Sequence, residues 1–286
     1  MKKSILLLLQ FAFAIVLFSC GSSNKTASPE TVYQCPMKCE SEKTYDKPGQ
    51  CPVCKMDLAV LNSSDSAKNQ KANNSIVKIA GAMKNVMHKG ELFATIDLDT
   101  IKNKTHLYGL GPVEYLKGEI LILDGKSYQS SMADDGSIKM EETFKTKAPF
   151  FVYANVEKWN EITLPDSIQN IKQLETFLDQ NTKNHPRPFA FRLTTNLDSC
   201  SIHIVNLPTG TPVHSPEDAH KNQKTFELQN EHVELIGFFS TEHQGIFTHH
   251  DTYVHIHLIS DDRKQMGHVD NLKMKKGTAK LFISQL

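Results

Sequence analysis

The stretch Tyr253-Val-His-Ile-His-Leu-Ile-Ser-Asp-Asp-Arg-Lys-Gln-Met-Gly-His268 decides how the C-terminal part of the chain folds. In it, His255 and His257 alternate with apolar residues, which is the period of a β-strand whose successive side chains point to opposite faces. Both imidazoles therefore project from one face of the predicted strand. The polar run Ser-Asp-Asp-Arg-Lys predicts a turn, after which His268 returns on an adjacent strand.

Three histidines that leave coordination positions open are a usual ligand set for a catalytic zinc ion. We therefore treat His255, His257 and His268 as candidate zinc ligands. The alternative is that they are ordinary core or surface histidines, because a chain with 13 histidines contains His-x-His pairs by chance. Their spacing alone leaves both interpretations open.

The large C-terminal region, residues 86–286, is rich in short alternating runs, and strands outnumber helices. One helix is predicted from Ser167 to Asn181. The predicted strands are Glu91–Leu98, Glu119–Leu123, Phe150–Val156, Phe189–Thr194, Ser201–Val205, His232–Ser240 and Tyr253–Ser260. This pattern predicts an α+β domain with mixed or antiparallel sheets, because a doubly wound parallel sheet needs a helix after nearly every strand.

The composition argues against one class of partner. Lysine plus arginine number 32 and aspartate plus glutamate number 32, so the formal net charge is zero. No net electrostatic field attracts the chain to nucleic acid. We therefore expect no nucleic-acid partner.

The N-terminus predicts export and anchorage. Lys2 and Lys3 precede an apolar run from Ile5 to Phe18, which is too short to span a bilayer as a helix and suits a signal peptide. The run ends at Ser19-Cys20-Gly21, which resembles a bacterial lipobox. We expect residues 1–19 to be removed and Cys20 to carry lipid, anchoring the exported protein to the cell envelope. The alternative is an ordinary export signal with an incidental cysteine.

Four cysteines crowd into residues 32–60, between a polar tether (residues 20–31) and a polar linker (residues 61–85). Two close pairs of thiolates can converge on one zinc or copper ion, and nearby methionines favour Cu(I). Two disulfides are the alternative, because an exported protein meets oxidising conditions. The candidate ligands are Cys35, Cys39, Cys51 and Cys54.

This segment resembles the heavy-metal-binding domain of metal-efflux adaptors and transporting ATPases. The matching motifs are Tyr33-Gln-Cys-Pro-Met37 and Pro48-Gly-Gln-Cys-Pro-Val-Cys-Lys-Met-Asp-Leu58. The sequence departs from the family at Lys38 and Cys39, where histidine and proline are usual. The resemblance favours a metal site over disulfides.

The C-terminal region resembles the acetolactate decarboxylase family. Its histidines follow the family spacing, His-x-His and then His eleven residues later, with Ile-Ser-Asp-Asp-Arg-Lys between them. Three further stretches agree in sequence and order: His106-Leu-Tyr-Gly-Leu-Gly111, Gly118-Glu-Ile-Leu-Ile-Leu-Asp-Gly-Lys-Ser-Tyr-Gln129 and Pro188-Phe-Ala-Phe-Arg192. The resemblance implies a two-lobed architecture of sheets.

The resemblance also implies an activity, the zinc-dependent decarboxylation of 2-acetolactate, a 2-hydroxy-3-oxo acid, to acetoin and carbon dioxide. Glu119 stands where the family carries an active-site glutamate, although a solvent-facing carboxylate at a strand start is the alternative. The family arginine is absent, because the aligned segment is Val205-Asn-Leu-Pro-Thr209. Arg192 and Arg263 are therefore candidate substitutes.

Two rival functions remain at this stage. In one, the domain keeps the fold and the histidine site but serves in metal handling with the cysteine module. In the other, the histidines belong to a zinc hydrolase, although no nucleophile or base is evident in the sequence. A homodimer is a further expectation.

Overall fold

A computed structural model describes residues 32–35, 40, 43–52, 58–61 and 77–285 of the chain. Its first part is a small antiparallel sheet of three strands in the order β2-β1-β3. These strands are β1 (Val32–Gln34), β2 (Thr44–Tyr45) and β3 (Ala59–Leu61). Among the described helices, none combines the length and apolarity that a membrane crossing needs.

A six-stranded sheet forms one layer of the C-terminal domain, and every neighbouring pair in it is antiparallel. Its strands are β4 (Lys78–Gly81), β6 (Leu107–Pro112), β7 (Glu119–Leu123), β8 (Lys126–Met132), β9 (Ile138–Glu142) and β11 (Phe150–Asn155). They follow one another in the order β4-β11-β6-β7-β8-β9. The short strands β5 (Ile96–Asp97) and β10 (Lys147–Ala148) pair separately. All five residues of β7 are buried, so this strand lies between two apolar layers.

A seven-stranded antiparallel sheet forms the second layer, in the order β12-β18-β13-β15-β16-β17 with β14 beside β13. Its strands are β12 (Trp159–Ile162), β13 (Phe189–Ile204), β14 (Lys224–Leu228), β15 (His232–Phe239), β16 (Val254–Ser260), β17 (Met266–Met274) and β18 (Lys280–Ser284). β13 is 16 residues long: its first half pairs with β15 and β18, and its second half pairs with β14 and β17.

This division of β13 closes part of the sheet into a ring. Arg192 of β13 pairs with Ile236 of β15, which pairs with His257 of β16. His257 pairs with His268 of β17, and His268 pairs with His203, again on β13. One row of paired residues therefore leaves β13 and returns to it eleven residues later. Directly paired residues share a face of the sheet, so the row places His203, His257 and His268 together.

The two sheets pack face to face over a shared apolar core that includes Leu121, Val152, Ile236, Phe238 and Ile259. Three helices complete the described part of the domain: α1 (Met83–Lys89), α2 (Ile171–Asn181) and α3 (Pro216–Ala219). α2 begins with a capping box between Asn170 and Gln173 and packs against the outer face of the seven-stranded sheet. α1 and α3 share a smaller core with Phe150 and Leu116.

The antiparallel sheets predicted from the sequence are confirmed, but the described chain is mostly strand, with three short helices, rather than clearly α+β. The segments predicted as strands Phe189–Thr194 and Ser201–Val205 are one continuous strand, β13. The strand predicted at Glu91–Leu98 is wrong for most of its length, because only Ile96–Asp97 pairs. β4 and the start of α1 lie inside the predicted linker, because its last ten residues, unlike the polar runs before them, are largely apolar and pair with β11.

Candidate metal centre

Three histidines converge where β16 and β17 face the six-stranded sheet. His257 and His268 are direct cross-strand partners, and His255 lies two residues before His257 on the same face of β16. One potential ligand atom from each of the three lies within 4.8 Å of those from the other two. The three rings stand 4.9–5.5 Å apart, centre to centre. The arrangement therefore matches the convergence expected from the sequence.

The imidazoles suit a divalent ion because they are neutral, and because two of them, His255 and His257, are buried while His268 is half-buried. His257 is fully buried and His255 is 3 % exposed. Burial lowers the pKa of His257 to about 3, and burial together with neighbouring histidines lowers the pKa of His255 and His268 well below the usual value. Within the described part of the chain, both ring nitrogens of His257 and Nδ1 of His255 have no partner of hydrogen-bond geometry. Unpaired lone pairs in a buried site are what a metal ion satisfies.

Glu119, the first residue of β7, reaches the same site from the opposite sheet. Its side chain is 3 % exposed. The backbone N–H of Val205 donates to Oε1 at 3.2 Å, and Oε2 lies 3.6 Å from Nε2 of His257. Burial raises the pKa of Glu119 to about 8, although His203 and the Val205 N–H oppose this shift. Glu119 is therefore a buried carboxyl group beside the histidines rather than a solvent-facing one.

His255, His268 and Glu119 line a small cavity of mixed polarity. Its volume is about 20 Å³, room for about one water molecule or ion. Met83 and Met87 of α1, Leu116 and Phe150 supply its apolar wall. A larger ligand that enters past α1 therefore requires part of this wall to move, whereas His249 and His268 also line a neighbouring cavity of about 730 Å³.

Comparisons with known proteins agree with this geometry. The sequence profile of a family described as Alpha-acetolactate decarboxylase matches residues 59–285. This chain belongs to the alpha-acetolactate decarboxylase family. A second profile, described as Heavy metal binding domain, matches residues 32–59.

Two relatives are themselves named alpha-acetolactate decarboxylase. The protein from Methanosarcina mazei is 31% identical over 185 residues, which cover 64% of this chain and 62% of the relative. The protein from Brevibacillus brevis is 27% identical over 190 residues, which cover 66% of this chain and 64% of the relative. The chain therefore spans less than two thirds of the length of each.

Two solved structures share the fold. The alpha-acetolactate decarboxylase of Bacillus subtilis strain 168 superposes with a TM-score of 0.59 at 19% identity, covering 73% of this chain and 85% of that one. A Staphylococcus aureus protein of unknown function, described as similar to alpha-acetolactate decarboxylase, gives a TM-score of 0.57 at 17% identity, with coverage of 73% and 85%. At these identities the similarity concerns the fold alone.

The sequence analysis missed three histidines that line the same cavity, which are His220, His249 and His203. His203 is the direct register partner of His268. Its ring lies 4.7 Å from that of His268, and its Nδ1 lies 2.6 Å from Oδ1 of Asp270. Burial disfavours its charged form, but the Asp270 contact and the charge of Glu119 outweigh burial and raise the pKa of His203. The strand Ser201–Val205 was predicted, but only its pairing with β17 shows that His203 faces the histidines.

In this family member, Arg192 and Arg263 lie in a different cavity. Both are beside Glu234: Nε of Arg192 is 2.5 Å from Oε1, and Nη2 of Arg263 is 3.6 Å from Oε2. Neither lines the histidine cavity, whose wall contains no arginine among the described residues. Val205, in the segment aligned with the family arginine, lines that cavity instead. A catalytic role for either arginine stays a prediction.

The cysteine module is described in part. Cys35 and Cys51 are buried, 2 % and 0 % exposed, and pack with Leu58. The predicted ligands Cys39 and Cys54, and the predicted lipidation site Cys20, lie outside the described residues. The structure therefore brings together two of the four proposed thiol ligands in one small core.

Proposed function

We propose that this chain decarboxylates 2-acetolactate to acetoin and carbon dioxide with a zinc ion held by His255, His257 and His268. The observation that carries the proposal is the convergence of these three histidines, whose potential ligand atoms lie within 4.8 Å of one another, with Glu119 3.6 Å from His257. The activity itself comes from the names of the relatives, each called alpha-acetolactate decarboxylase. The comparisons do not favour the rival hypothesis of a non-catalytic metal-handling protein.

The reaction breaks the bond between the substrate carboxylate and the carbon that bears the hydroxyl group. Carbon dioxide leaves, the bonding electron pair moves toward the ketone oxygen, and the former carboxylate-bearing carbon must then receive a proton. A divalent ion in the histidine site supplies Lewis-acid stabilisation of the negative charge that develops on the substrate oxygens. His255, His257 and His268 would hold this ion, and the burial of His255 and His257 would limit its contact with water.

Glu119 is the group placed to move the proton. Its Oε1 is fixed by the Val205 N–H, and its Oε2 faces His257 and the cavity. A carboxyl group held in this way delivers a proton from Oε2 to the substrate carbon and recovers one from water afterwards, so each turnover consumes one proton. A positioned general acid contributes about 10²–10⁴-fold to a rate.

The test is an assay of the purified full chain, loaded with zinc, for acetoin and carbon dioxide from racemic 2-acetolactate. We expect turnover by the wild type and a loss of about 10²–10⁴-fold in kcat for Glu119→Gln, with bound zinc unchanged. Glu175→Gln is the matched control, because Glu175 is equally buried, 3 % exposed, but lies on α2. Zinc-loaded wild type that forms no acetoin would favour the metal-handling hypothesis.

We further propose that residues 32–60 bind zinc or copper through Cys35, Cys39, Cys51 and Cys54. Two observations support this assignment: the match to the heavy-metal-binding profile, and the burial of Cys35 and Cys51 together in one small core. Serine replacement of Cys51 is expected to remove one equivalent of bound metal. Undiminished metal content in Cys51→Ser would contradict this assignment.

We also propose the domain organisation that the sequence predicts: a signal peptide in residues 1–19, a lipid-carrying Cys20 that anchors the exported protein, a tether to residue 31, and a linker after residue 60. The support is the sequence pattern alone. Radiolabelled palmitate should enter the wild type and not Cys20→Ser. Equal labelling of the two would exclude Cys20 as the lipid site.

A further inference from the structure

The chain uses arginine sparingly, with 29 lysines and only three arginines: Arg187, Arg192 and Arg263. Two of the three converge on one carboxylate, Glu234 of β15, although they come from different elements. Lysine satisfies a single carboxylate as a point charge, whereas a guanidinium offers a planar fork of donors that matches carboxylate geometry. Two forks on one carboxylate leave donors available for a second anion.

Both guanidinium groups are held in place by aromatic rings. The Cζ of Arg192 lies 5.8 Å from the centre of the Phe282 ring, and that of Arg263 lies 5.9 Å from the Tyr128 ring. Arg263 has a φ of +60°, a left-handed conformation that costs a non-glycine residue energy. Nε of Arg192 is buried and, despite its closeness to Glu234, does not reach hydrogen-bond geometry within the described residues. The two guanidinium groups therefore have defined positions, and at least one of their N–H donors has no hydrogen-bond acceptor among the described residues.

The arginines form the floor of a cavity of about 680 Å³ between the two sheets, within the range of small-molecule sites. The six-stranded sheet supplies the opposite wall, including Tyr108, Leu123, Tyr128 and Met140. The cavity shares no lining residue with the histidine cavity. Ile259 of the shared core lies between His257 and Arg263 along the chain.

The charges select the class of ligand. Two arginines and Glu234, whose side chain is 13 % exposed, leave one net positive charge on the floor. The rim carries Asp124, Glu141 and Glu142 against Lys126, a net charge of −2, and all four side chains are exposed, so water screens their charge. A second carboxylate on the ligand faces this acidic rim and is disfavoured.

We infer that this cavity binds a small organic monocarboxylate, with its carboxylate on Arg192 and Arg263 and its apolar body against Tyr108, Tyr128 and Met140. The site is separate from the histidine centre and does not depend on the proposed decarboxylase activity. The competing explanation is that the arginines only neutralise Glu234.

The experiment measures the binding of butyrate to the purified full chain by saturation-transfer NMR, with succinate as the two-carboxylate comparison. We expect saturable butyrate binding and at least tenfold weaker succinate binding. Arg192→Gln and Arg263→Gln should each raise the butyrate Kd at least tenfold. Arg187→Gln is the matched control, because Arg187 contacts Asp179 and Thr241 outside the cavity, and it should change the Kd less than twofold.

Two further measurements separate the competing explanations. Glu234→Gln frees both guanidinium groups, so the inferred site predicts binding in the wild type and tighter binding in Glu234→Gln, whereas arginines that only neutralise Glu234 predict butyrate binding in Glu234→Gln alone. Arg192→Lys retains the charge if Arg192→Gln fails to fold, and it too should weaken binding by loss of the planar fork. Butyrate binding must survive removal of metal by EDTA. Its loss with EDTA, or an equal loss in Arg187→Gln, would overturn the inference.

Discussion

His257 on β16 stands directly opposite His268 on β17, because the two residues are register partners in an antiparallel pair. Two of the three candidate ligands are thus positioned by backbone hydrogen bonds between strands rather than by a loop. The third, His255, is fixed by the two-residue period of the same strand. A site built on paired strands is formed before any ion binds, which lowers the cost of ordering its ligands.

The first prediction concerns metal binding. His257→Ala removes a buried ligand and should weaken zinc binding at this centre at least 100-fold, seen as the loss of one equivalent of zinc in metal analysis after dialysis. His232→Ala is the control, because His232 is 45% exposed and pairs with Asp261 at the surface. If His257→Ala keeps the zinc content of the His232→Ala protein, the three histidines are not the ligand set.

The second prediction concerns the stability of the metal-free protein in acid. The unfolded chain protonates its histidines near pH 6.5, whereas the pKa of His257 is lowered to about 3 by burial. Below about pH 6.5 the unfolded state therefore binds more protons than the folded state, and the free energy of unfolding decreases as the pH is lowered. His257→Asn should reduce this slope by about 1.4 kcal/mol per pH unit between about pH 6 and 4, measured by urea unfolding. An unchanged slope would show that His257 protonates normally in the folded protein.

The third prediction concerns the opposite, alkaline effect of Glu119. Burial raises its pKa to about 8, so above its unfolded pKa of 4.5 the folded state holds a proton that the unfolded state has lost. This contribution lowers the free energy of unfolding as the pH rises from about 4.5 to 8. Between about pH 6.5 and 8 the three ligand histidines no longer mask it. Urea unfolding of metal-free Glu119→Gln should therefore show a smaller decline in this window than the wild type, and an identical decline would contradict the shifted pKa.

The fourth prediction concerns the close approach of β17 to β13. A Cβ on Gly267 would lie 2.6 Å from the carbonyl oxygen of His203, a backbone atom that cannot move aside cheaply. Gly267→Ala should destabilise the domain by about 1–3 kcal/mol and weaken zinc binding, because it displaces the neighbouring His268. Lys273→Ala, a change of an exposed side chain on the same strand, is the control. Thermal unfolding and zinc titration test both effects, and normal zinc affinity in Gly267→Ala would show that His268 tolerates the shift.

The fifth prediction concerns the small volume of the histidine cavity. Met87 of α1 is buried and lines it. Met87→Ala should cost about 2–5 kcal/mol of stability but lower the KM for 2-acetolactate, because less of the wall has to move when substrate enters. Lys89→Ala, an exposed change on the same helix, should alter neither quantity. A KM in Met87→Ala equal to that of the wild type would indicate that substrate enters past another wall.

Local patterns were sufficient to predict strands and the convergence of His255, His257 and His268. Alternation over Glu119–Leu123 predicts β7, and the structure has that strand with the same bounds. Both histidines of the His-x-His pair and the returning histidine lie close together in sequence, so a hairpin suffices to join them.

Long-range pairing was beyond the reach of the same patterns. His203 is more than fifty residues from His255, and only the pairing of β13 with β17 brings it to the site. The contact of Arg192 with Glu234 could not be predicted either, because it depends on the pairing of β13 with β15. The helix α1 was missed because its stability comes from packing on Phe150 and Leu116 rather than from its own sequence.

Arg192 and His203 lie eleven residues apart on β13, and this spacing limits which insertions and deletions the strand can accept. Both ends of that interval belong to one closed row of pairs, and the pairing of the interval with β17 is already irregular at Leu197–Ser199 and Ser201–Ile202. A further inserted or deleted residue that no bulge absorbs turns every later side chain of the strand to the other face. His203 would then point away from His268, and Glu119 would lose its contact with the Val205 N–H. Substitutions are tolerated at the exposed positions of this interval, such as Asn196, whereas Leu197, Cys200 and Ile202 belong to the core. Length variation among descendants of this chain should fall in the loop between Asn206 and Ser215 instead.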